Sequence, residues 1–371
     1  MSEVYTDSNL LYRRATKDDD ETLKRLLSEN SMDSWVNLCL ERSPSYFDAQ
    51  GLMGESYTMI ASDIQENKSV GMYSCSYMNM HINTKEENIA YFGELRLHKE
   101  YRNKIRVLKN GYKSLQKLLP VQKSSPIYIT SIASENTKAR RVLEANLKGM
   151  PKYTPLAEMS TLIFSTQFLS KRKKLRIASQ EDIPRLVKFY NHKAQSYQFS
   201  PCLNEEWLSG LSSERGLDIN DFYIREDAHG DIEACFALWD QRMFKQTVIK
   251  SYKAPLSLVR PLYNLFAKLS NRVELPKENS MLEQMYISFF ACDKRGLVLE
   301  CIKEAASLAR VKGASSCVLG LSSQHPSLAL IKRKLKANVY KTCIEMVHFE
   351  DEQQDILLNE GLLIQPEVAL L

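Results

Sequence analysis

An internal repeat is the feature that most constrains what this chain can fold into. The segment "YRRATKDDDETLKRLL" (residues 12–27) aligns with "LRIASQEDIPRLVKFY" (residues 175–190), which places Ala15 and Ala178 163 positions apart. In both segments an arginine-bearing strand leads into a Thr or Ser that is followed by acidic residues. This order is typical of a helix start, because side-chain oxygens and negative charge suit exposed helical N–H groups.

A second match lies further along the chain in the same order. "SPIYITSIASENTKARRVL" (residues 125–143) resembles "SSCVLGLSSQHPSLALIKR" (residues 315–333), with Ala139 and Ala329 190 positions apart. The longer offset indicates an insertion of about 27 residues in the second copy, which we place near 238–276. A length of 371 residues also favours two domains, so we predict domains at 1–170 and 171–371. We expect the basic run at residues 171–174 to form an exposed linker.

Hydrophobic periodicity gives each copy the same element order: a strand, one or two helices, a meander of strands, a helix, a strand, a helix and final strands. In the first copy we predict helices between residues 19 and 42 and a helix from Val107 to Leu118. The predicted fold class is α+β (mixed α/β), with each domain a central, mostly antiparallel twisted sheet flanked by helices. The apolar segment "QPEVALL" (residues 365–371) is expected to pack onto a domain.

Composition excludes several classes of function. A net charge of +5 is mild, and no nucleic-acid-binding signature is present. No segment approaches the roughly 20 apolar residues of a membrane span, and the N-terminal segment lacks a signal-peptide pattern, so we expect a cytoplasmic protein. The eight cysteines are scattered and the six histidines are dispersed, so we expect reduced core cysteines and no metal site.

A strand-to-helix corner carries the clearest functional signal. "YFGELRLHKEYRNKIRVLKNGYKSL" (residues 91–115) has the pattern of a strand, a basic turn and a helix. Corners of this type bind phosphates, because the first helical N–H groups have no partner inside the helix. A charged surface turn without a ligand is the alternative interpretation.

The element order, together with "RLHKEYRNKIR" and "SENTKARRVL", resembles the GNAT superfamily of CoA-dependent N-acyltransferases. The resemblance covers essentially the whole chain as two tandem copies and is weaker in the second copy. It implies that an acyl-CoA, acetyl-CoA or another, is bound by the first copy. The implied pantetheine strand consists of Leu95, Arg96 and Leu97. The implied pyrophosphate turn consists of Arg102, Asn103, Lys104, Ile105, Arg106 and Val107. Asn136, with Ala139, matches the later Asn-x-x-Ala motif.

The sequence departs from the family pattern in two places. Ile105 and Val107 stand where the family has glycine or another small residue, and a β-branched side chain resists a positive φ. Leu143 stands where the family often has a tyrosine acting as general acid. Tyr153 is the candidate substitute and Glu94 the candidate base. The alternatives are a core or surface tyrosine, a solvated glutamate, and for Asn136 a helix cap.

In the second copy the turn "FFACDKRGLVLEC" keeps Lys294, Arg295 and Gly296 but not the whole pattern, so this copy is expected to complete the substrate cleft. We expect alternation along a strand from Trp239 to Gln246. Alternation puts Arg242 and Lys245 on opposite faces. Arg242 with Lys245 or Arg260 is the candidate pair for a carboxylate or phosphate of the substrate. An edge strand with solvated charges is the alternative.

The leading hypothesis is an acyltransferase that moves an acetyl or other acyl group from acyl-CoA to a small-molecule or peptide amine. The alternatives are a non-catalytic ligand-binding protein with a degenerate GNAT fold, and an acyltransferase that depends on acyl-carrier protein.

Overall fold

The protein combines one long mixed sheet with helices on its faces. A computed structural model describes residues 4–29, 35–119, 127–168, 174–349 and 357–371. The helices of this part of the chain are α1 (Asp20–Ser28), α2 (Ile105–Leu118), α3 (Thr137–Leu143), α4 (Ile183–Ala194), α5 (Glu205–Ser209), α6 (Leu256–Ser270), α7 (Arg295–Val311) and α8 (Leu328–Leu335).

The strands come from both halves of the chain. Those of the first half are β1 (Val4–Asp7), β2 (Leu10–Arg14), β3 (Val36–Glu41), β4 (Ser56–Asp63), β5 (Lys68–Ile82), β6 (Lys85–Leu97), β7 (Tyr128–Ala133) and β8 (Lys152–Ser165). Those of the second half are β9 (Leu175–Ile177), β10 (Tyr197–Gln198), β11 (Ser200–Pro201), β12 (Phe222–Glu226), β13 (Ile232–Trp239), β14 (Gln246–Tyr252), β15 (Ser280–Met281), β16 (Gln284–Cys292), β17 (Ser316–Ser322), β18 (Asn338–His348) and β19 (Leu363–Ile364).

The main sheet runs through both halves in the order β1-β2-β4-β5-β6-β7-β18-β8-β17-β16-β13-β12-β9, with β11 beside β5. Its pairs are antiparallel except for β6 with β7 and β16 with β17, which are parallel. One parallel pair therefore lies in each half, and the helices that connect these strands are α2 and α7. The predicted fold class, a mostly antiparallel twisted sheet flanked by helices, is confirmed.

The two halves exchange their last long strands. β18, from the second half, lies between β7 and β8, and its residues Thr342 to Val347 pair with β7. β8, from the first half, pairs with β17 over Met159 to Ser165. The sheet is thus continuous across the junction, and the division at residue 170 stays a prediction. Of the predicted linker, residues 171–173 lie outside the described residues.

The first sequence match is confirmed in atomic detail. Arg13 pairs with Asp19 at 2.7 Å, and Arg176 pairs with Asp182 at 2.7 Å. Thr16 and Ser179 each form a capping box with the same aspartates. The same ion pair and the same helix cap therefore recur 163 residues apart.

The first half departs from the predicted element order after α1. Val36–Glu41 is the strand β3, where we predicted a helix, because this segment pairs with β14 from the second half. β14 and β15 belong to the predicted insertion region or follow it closely, and with β3 they form a separate three-stranded sheet. α6 follows β14. The inserted segment therefore joins the halves through β3 and also supplies a helix that the first copy lacks.

Candidate functional site

The parallel strands β6 and β7 separate partway along their length. They pair at Ala90, Tyr91 and Phe92 and then diverge. Beyond this point residues 93–97 are half-buried. A β-bulge in the pairing with β5 falls at the same place, and its residue Glu94 has a φ of +53°. A non-glycine residue in this conformation is strained and persists only where its surroundings hold it, which often occurs at functional sites.

Glu94 is held by two side chains that precede β4. Arg42 donates to its carboxylate at 2.5 Å, and the Tyr46 hydroxyl donates to its other oxygen. Tyr46 also lies 2.9 Å from the Thr58 hydroxyl. Burial would raise the pKa of Glu94, but the Arg42 charge and the Tyr46 hydrogen bond outweigh it and hold this pKa below its ordinary value. Glu94 is therefore ionised at neutral pH.

A polar cavity lies between residues of the two halves of the chain. It has a volume of about 280 Å³ and is lined by Met53, Gly54, Glu55, Tyr77, Asn79, Asn88, Cys202, Asn204 and Trp207. A smaller cavity of about 40 Å³ shares Met53, Gly54 and Tyr77 with it and reaches Leu370. Together they form a groove between the loop at residues 49–55, strand β5 and the C-terminal segment of the second half. We call this the inter-half groove.

The predicted phosphate corner lies at the start of α2. This helix begins at Ile105, has no side-chain cap and has no acidic residue in its first turn. None of residues 102–107 has a positive φ, so the β-branched side chains of Ile105 and Val107 cause no backbone strain here. Val107 is buried in the core, and its carbonyl oxygen accepts from the Tyr12 hydroxyl at 3.0 Å. Ile105 is half-buried and packs against the hydrophobic core of the first half, so neither bulky side chain fills the corner.

Three cations surround this corner, and each has a contact within the chain. Lys104 lies over the Tyr101 ring, with its Nζ 3.9 Å from the centroid. Arg106 pairs with Asp7 at 2.9 Å. Arg102 donates to the Leu97 carbonyl oxygen at 3.3 Å. A phosphate bound here would compete with the Asp7 pairing for Arg106.

The other predicted residues have structural contacts of their own. Asn136 caps α3 by accepting from the Ala139 N–H at 3.2 Å, as the alternative interpretation proposed. Tyr153 shares a hydrogen bond with the Tyr112 hydroxyl, and burial raises its pKa well above the ordinary value. Its hydroxyl therefore stays protonated at neutral pH. Among the described residues, no cluster of three or more potential metal ligands exists.

The second half repeats the splayed strands but fills the space between them. β16 and β17 pair at Gln284, Met285 and Tyr286 and then diverge. The bulge residue here is Phe289, which is buried and has a φ of +52°. Its N–H donates to the Glu367 carboxylate at 2.8 Å, and on β17 the Ser322 N–H donates to Gln365 at 3.2 Å.

The same C-terminal segment packs closely against β17. A Cβ added to Gly320 would lie 2.2 Å from Val368 Cγ1, so only glycine fits beneath this side chain. The segment of residues 365–371, which we call the tail, thus contacts both splayed strands of the second half. The prediction that these residues pack onto a domain is confirmed, since Ala369 is fully buried.

The predicted alternating strand from Trp239 to Gln246 is wrong. β13 ends at the buried Trp239 and β14 begins at Gln246, with a turn between them. Within the turn, Arg242 pairs with Asp240 at 2.6 Å. Lys245 Nζ donates to the Leu371 carbonyl oxygen at 3.0 Å, so this side chain contacts the tail. The roles of Arg242 and Lys245 in substrate binding stay predictions.

Lys245 links the tail to the Glu94 cluster. Burial, together with the nearby Arg42 charge, lowers the pKa of Lys245 to about 7, while Glu94 and Glu367 act in the opposite direction. Burial raises the pKa of Glu367 to about 7. Sequence reasoning missed Arg42, Tyr46 and Glu367. Only Glu367 gave a signal, as a single acid within an apolar segment.

Comparisons with known proteins bear on the fold. No protein-family model and no curated protein matches this sequence. Among solved structures, Saccharomyces cerevisiae N-myristoyltransferase with bound myristoyl-CoA aligns with a TM-score of 0.64 at 13% identity, covering 98% of this chain and 91% of that chain. A GCN5-related N-acetyltransferase from Sphaerobacter thermophilus aligns with a TM-score of 0.55 at 12% identity, covering 92% and 96% of the two chains. At such identities the likeness shows the fold.

Proposed function

We propose, from the premise that this chain has the GNAT fold, that it transfers an acyl group from acyl-CoA to an amine and that its first half holds the donor. The observation that carries this proposal is the difference between the two splayed strand pairs. The pair in the first half is half-buried around an ionised glutamate. The equivalent pair in the second half is contacted on both strands by the tail.

The backbone of β6 supports donor binding. After Phe92 the strand no longer pairs with β7, so the edge of β6 at Leu95, Arg96 and Leu97 faces no neighbouring strand and suits the amides of a pantetheine arm. The Leu95 and Leu97 carbonyl oxygens accept from the Arg96 and Arg102 side chains, which a bound arm would displace. The uncapped start of α2 then supplies N–H groups and a favourable dipole for the pyrophosphate. Arg102, Asn103, Lys104 and Arg106 border this start, with Ile105 and Val107 forming its first turn.

The reaction is an attack of a neutral amine on the thioester carbonyl carbon. A main-chain N–H in the splayed strand stabilises the oxyanion, the C–N bond forms, the C–S bond breaks, and the thiolate takes a proton. Glu94 is our candidate to accept the proton of the amine, because it is ionised and lies on the bulge. Tyr153 is the candidate proton donor, because it carries a hydroxyl proton, and this hydroxyl shares a hydrogen bond with that of Tyr112.

The inter-half groove is our candidate path for the acceptor. It is lined by the Glu55 carboxylate and by the amide side chains of Asn79, Asn88 and Asn204. These groups suit a cationic amine or the backbone of a peptide, and the inner end of the groove reaches the tail at Leu370. We therefore favour an amine carried on a small molecule or at a peptide N-terminus.

The test measures thiol release from acyl-CoA esters ranging from acetyl to myristoyl, with a panel of amines and N-terminal peptides. We expect thermal stabilisation by at least one ester and thiol release that depends on an amine. Glu94→Gln should lower turnover more than donor affinity, and Arg310→Ala, an exposed change on α7, serves as control.

Each other outcome contradicts the proposal in a distinct way. No stabilisation by any CoA ester would remove acyl-CoA as donor, and activity with acyl-carrier protein alone would then identify the donor. Stabilisation without thiol release on any amine would indicate a binding protein.

A further inference from the structure

Helix α6 exposes a continuous apolar face. Leu258, Leu262 and Leu269 are 79%, 73% and 80% exposed. Val259, Leu265 and Phe266 are also exposed. The residue of α6 that is fully buried is Ala267. Scattered exposed apolar residues are ordinary on soluble proteins, but six on one helix form a patch that calls for a partner.

The spacing of these residues puts them on one side of the helix. At about 100° per residue, positions 258, 259, 262, 265, 266 and 269 fall within a sector of roughly 120°. Ala267 falls outside this sector and faces the protein. The apolar sector therefore points away from the core, in the manner of a helix that lies on a surface of low polarity.

The surroundings of this face are basic. Between residues 250 and 278 the sequence has six lysines or arginines and two acidic residues, Glu274 and Glu278, and one of the cations, Lys250, pairs with Glu41. The exposed run Lys332, Arg333 and Lys334 follows on α8. The next lysine, Lys336, donates to the Ser270 carbonyl oxygen at 2.8 Å, which places this run beside the C-terminal end of α6.

An exposed tryptophan lies at the other end of the helix. Trp35 is 63% exposed, and its carbonyl oxygen accepts from the Lys253 N–H at 3.0 Å, just before α6 begins. Tryptophan is enriched where protein meets the headgroup region of a bilayer, because its ring is apolar and its N–H is polar.

We propose that α6 docks this protein onto an anionic lipid surface, with its apolar face in the headgroup and acyl boundary. An apolar sector flanked by basic residues matches both the hydrophobic and the electrostatic part of such a surface. Binding to a second protein chain would need only the apolar sector. The surrounding positive charge and the exposed Trp35 are features that favour contact with anionic lipid headgroups. Docking of this kind involves no membrane crossing, and no described helix has the length and apolar character to cross one.

The test is flotation of the full chain with vesicles of phosphatidylcholine alone or mixed with phosphatidylserine. We expect binding that requires phosphatidylserine and weakens with salt. Leu262→Glu with Leu269→Glu should lower the partition coefficient by at least about tenfold, because each leucine is removed from an apolar environment. Val311→Glu is the matched control, since Val311 is an 85% exposed apolar residue on α7.

Two further measurements test the contribution of the basic residues and that of Trp35 to vesicle binding. Replacing Lys332, Arg333 and Lys334 with serine should reduce binding to anionic vesicles by roughly fivefold per charge. In Trp35→Phe the vesicle-induced shift in tryptophan emission should disappear, because Trp239 is buried and Trp207 packs within the protein. Circular dichroism and thermal unfolding check that each variant folds.

Three outcomes would overturn the proposal. One is equal binding by the wild type and the Leu262→Glu, Leu269→Glu variant. Another is a lack of any binding to anionic vesicles by the folded wild type. The third is a dimer in light scattering that this variant dissociates, which would assign the face to a second copy of the chain.

Discussion

At the residue level, the ion pair of Glu94 with Arg42 is the most consequential contact in the first half. The two side chains are only 21% and 10% exposed. Glu94→Gln should destabilise the protein by roughly 3 kcal/mol, because it leaves the Arg42 charge without its counterion. Adding Arg42→Met should restore part of this loss. Chemical denaturation of the four proteins in the cycle measures the coupling, and additive losses would mean that the pair contributes nothing as a pair.

Glu367 gives a prediction about pH at the same level. Its pKa is raised to about 7 in the folded protein, against an ordinary value of 4.5, so the folded state binds this proton more tightly. The associated stability is present below about pH 4.5 and is lost as the pH rises to about 7. The loss amounts to at most about 3 kcal/mol.

Glu367→Gln keeps an oxygen that can accept from the Phe289 N–H but does not titrate. The free energy of unfolding of the wild type should therefore fall relative to this variant between pH 4.5 and 7. Denaturant titrations at each pH give the difference curve. A difference that does not change with pH would show that Glu367 is already ionised when folded.

At the level of elements, the start of α2 is predicted to bind the pyrophosphate of the acyl donor. Arg102→Ala with Arg106→Ala should weaken CoA binding by at least about tenfold, because charge-assisted hydrogen bonds to phosphate are lost. Because the ion pair of Arg106 with Asp7 lies on the surface, the free energy of unfolding should change little. Calorimetric titration with CoA measures the affinity, with Arg310→Ala as control. Unchanged affinity in the double variant would place the pyrophosphate elsewhere.

The close packing of the tail against β17 leads to a second prediction, about stability. Gly320→Ala should destabilise the protein by about 1 to 3 kcal/mol, because the new Cβ collides with the methyl groups of Val368. Val368→Ala removes those methyl groups, so the double variant should recover part of the loss. Thermal unfolding of the three variants tests this. A Gly320→Ala protein as stable as the wild type would show that the tail does not rest in this position.

At the level of the whole molecule, the exchange of β8 and β18 couples the halves. Each of these strands completes the sheet of the other half. We therefore expect one cooperative unfolding transition, with equal calorimetric and van't Hoff enthalpies. Differential scanning calorimetry measures both. Two separated transitions would show that the halves unfold independently in spite of the shared sheet.

How much of this molecule could be predicted from its sequence depends on whether the signal was local. The arginine, the Thr or Ser and the aspartate that begin each copy act within seven residues of one another, so their pattern predicted the repeat and both helix starts. Val36–Glu41 was assigned to a helix because its partner, β14, lies about 200 residues away. No local pattern reports such a pairing.

The candidate site was predictable only in part for the same reason. Glu94 and the start of α2 were found because the strand, turn and helix are contiguous. Arg42, 52 residues from Glu94, gave no signal, and the contact of Lys245 with Leu371 spans 126 residues. Ile105 and Val107 appeared to obstruct the corner, but Val107 is buried and Ile105 packs against the core, so neither side chain blocks it.

The exchanged strands also govern how this protein can emerge during synthesis. β7 ends at Ala133, but the strand that covers its edge begins pairing at Thr342, about 210 residues later. At a translation rate of 5 to 20 residues per second, roughly 10 to 40 s pass between the synthesis of β7 and that of β18. Throughout this interval β7 pairs with β6 on one edge and presents its other edge unpaired, so a chaperone that shields this edge would act on the first half and be released only when β18 is synthesised.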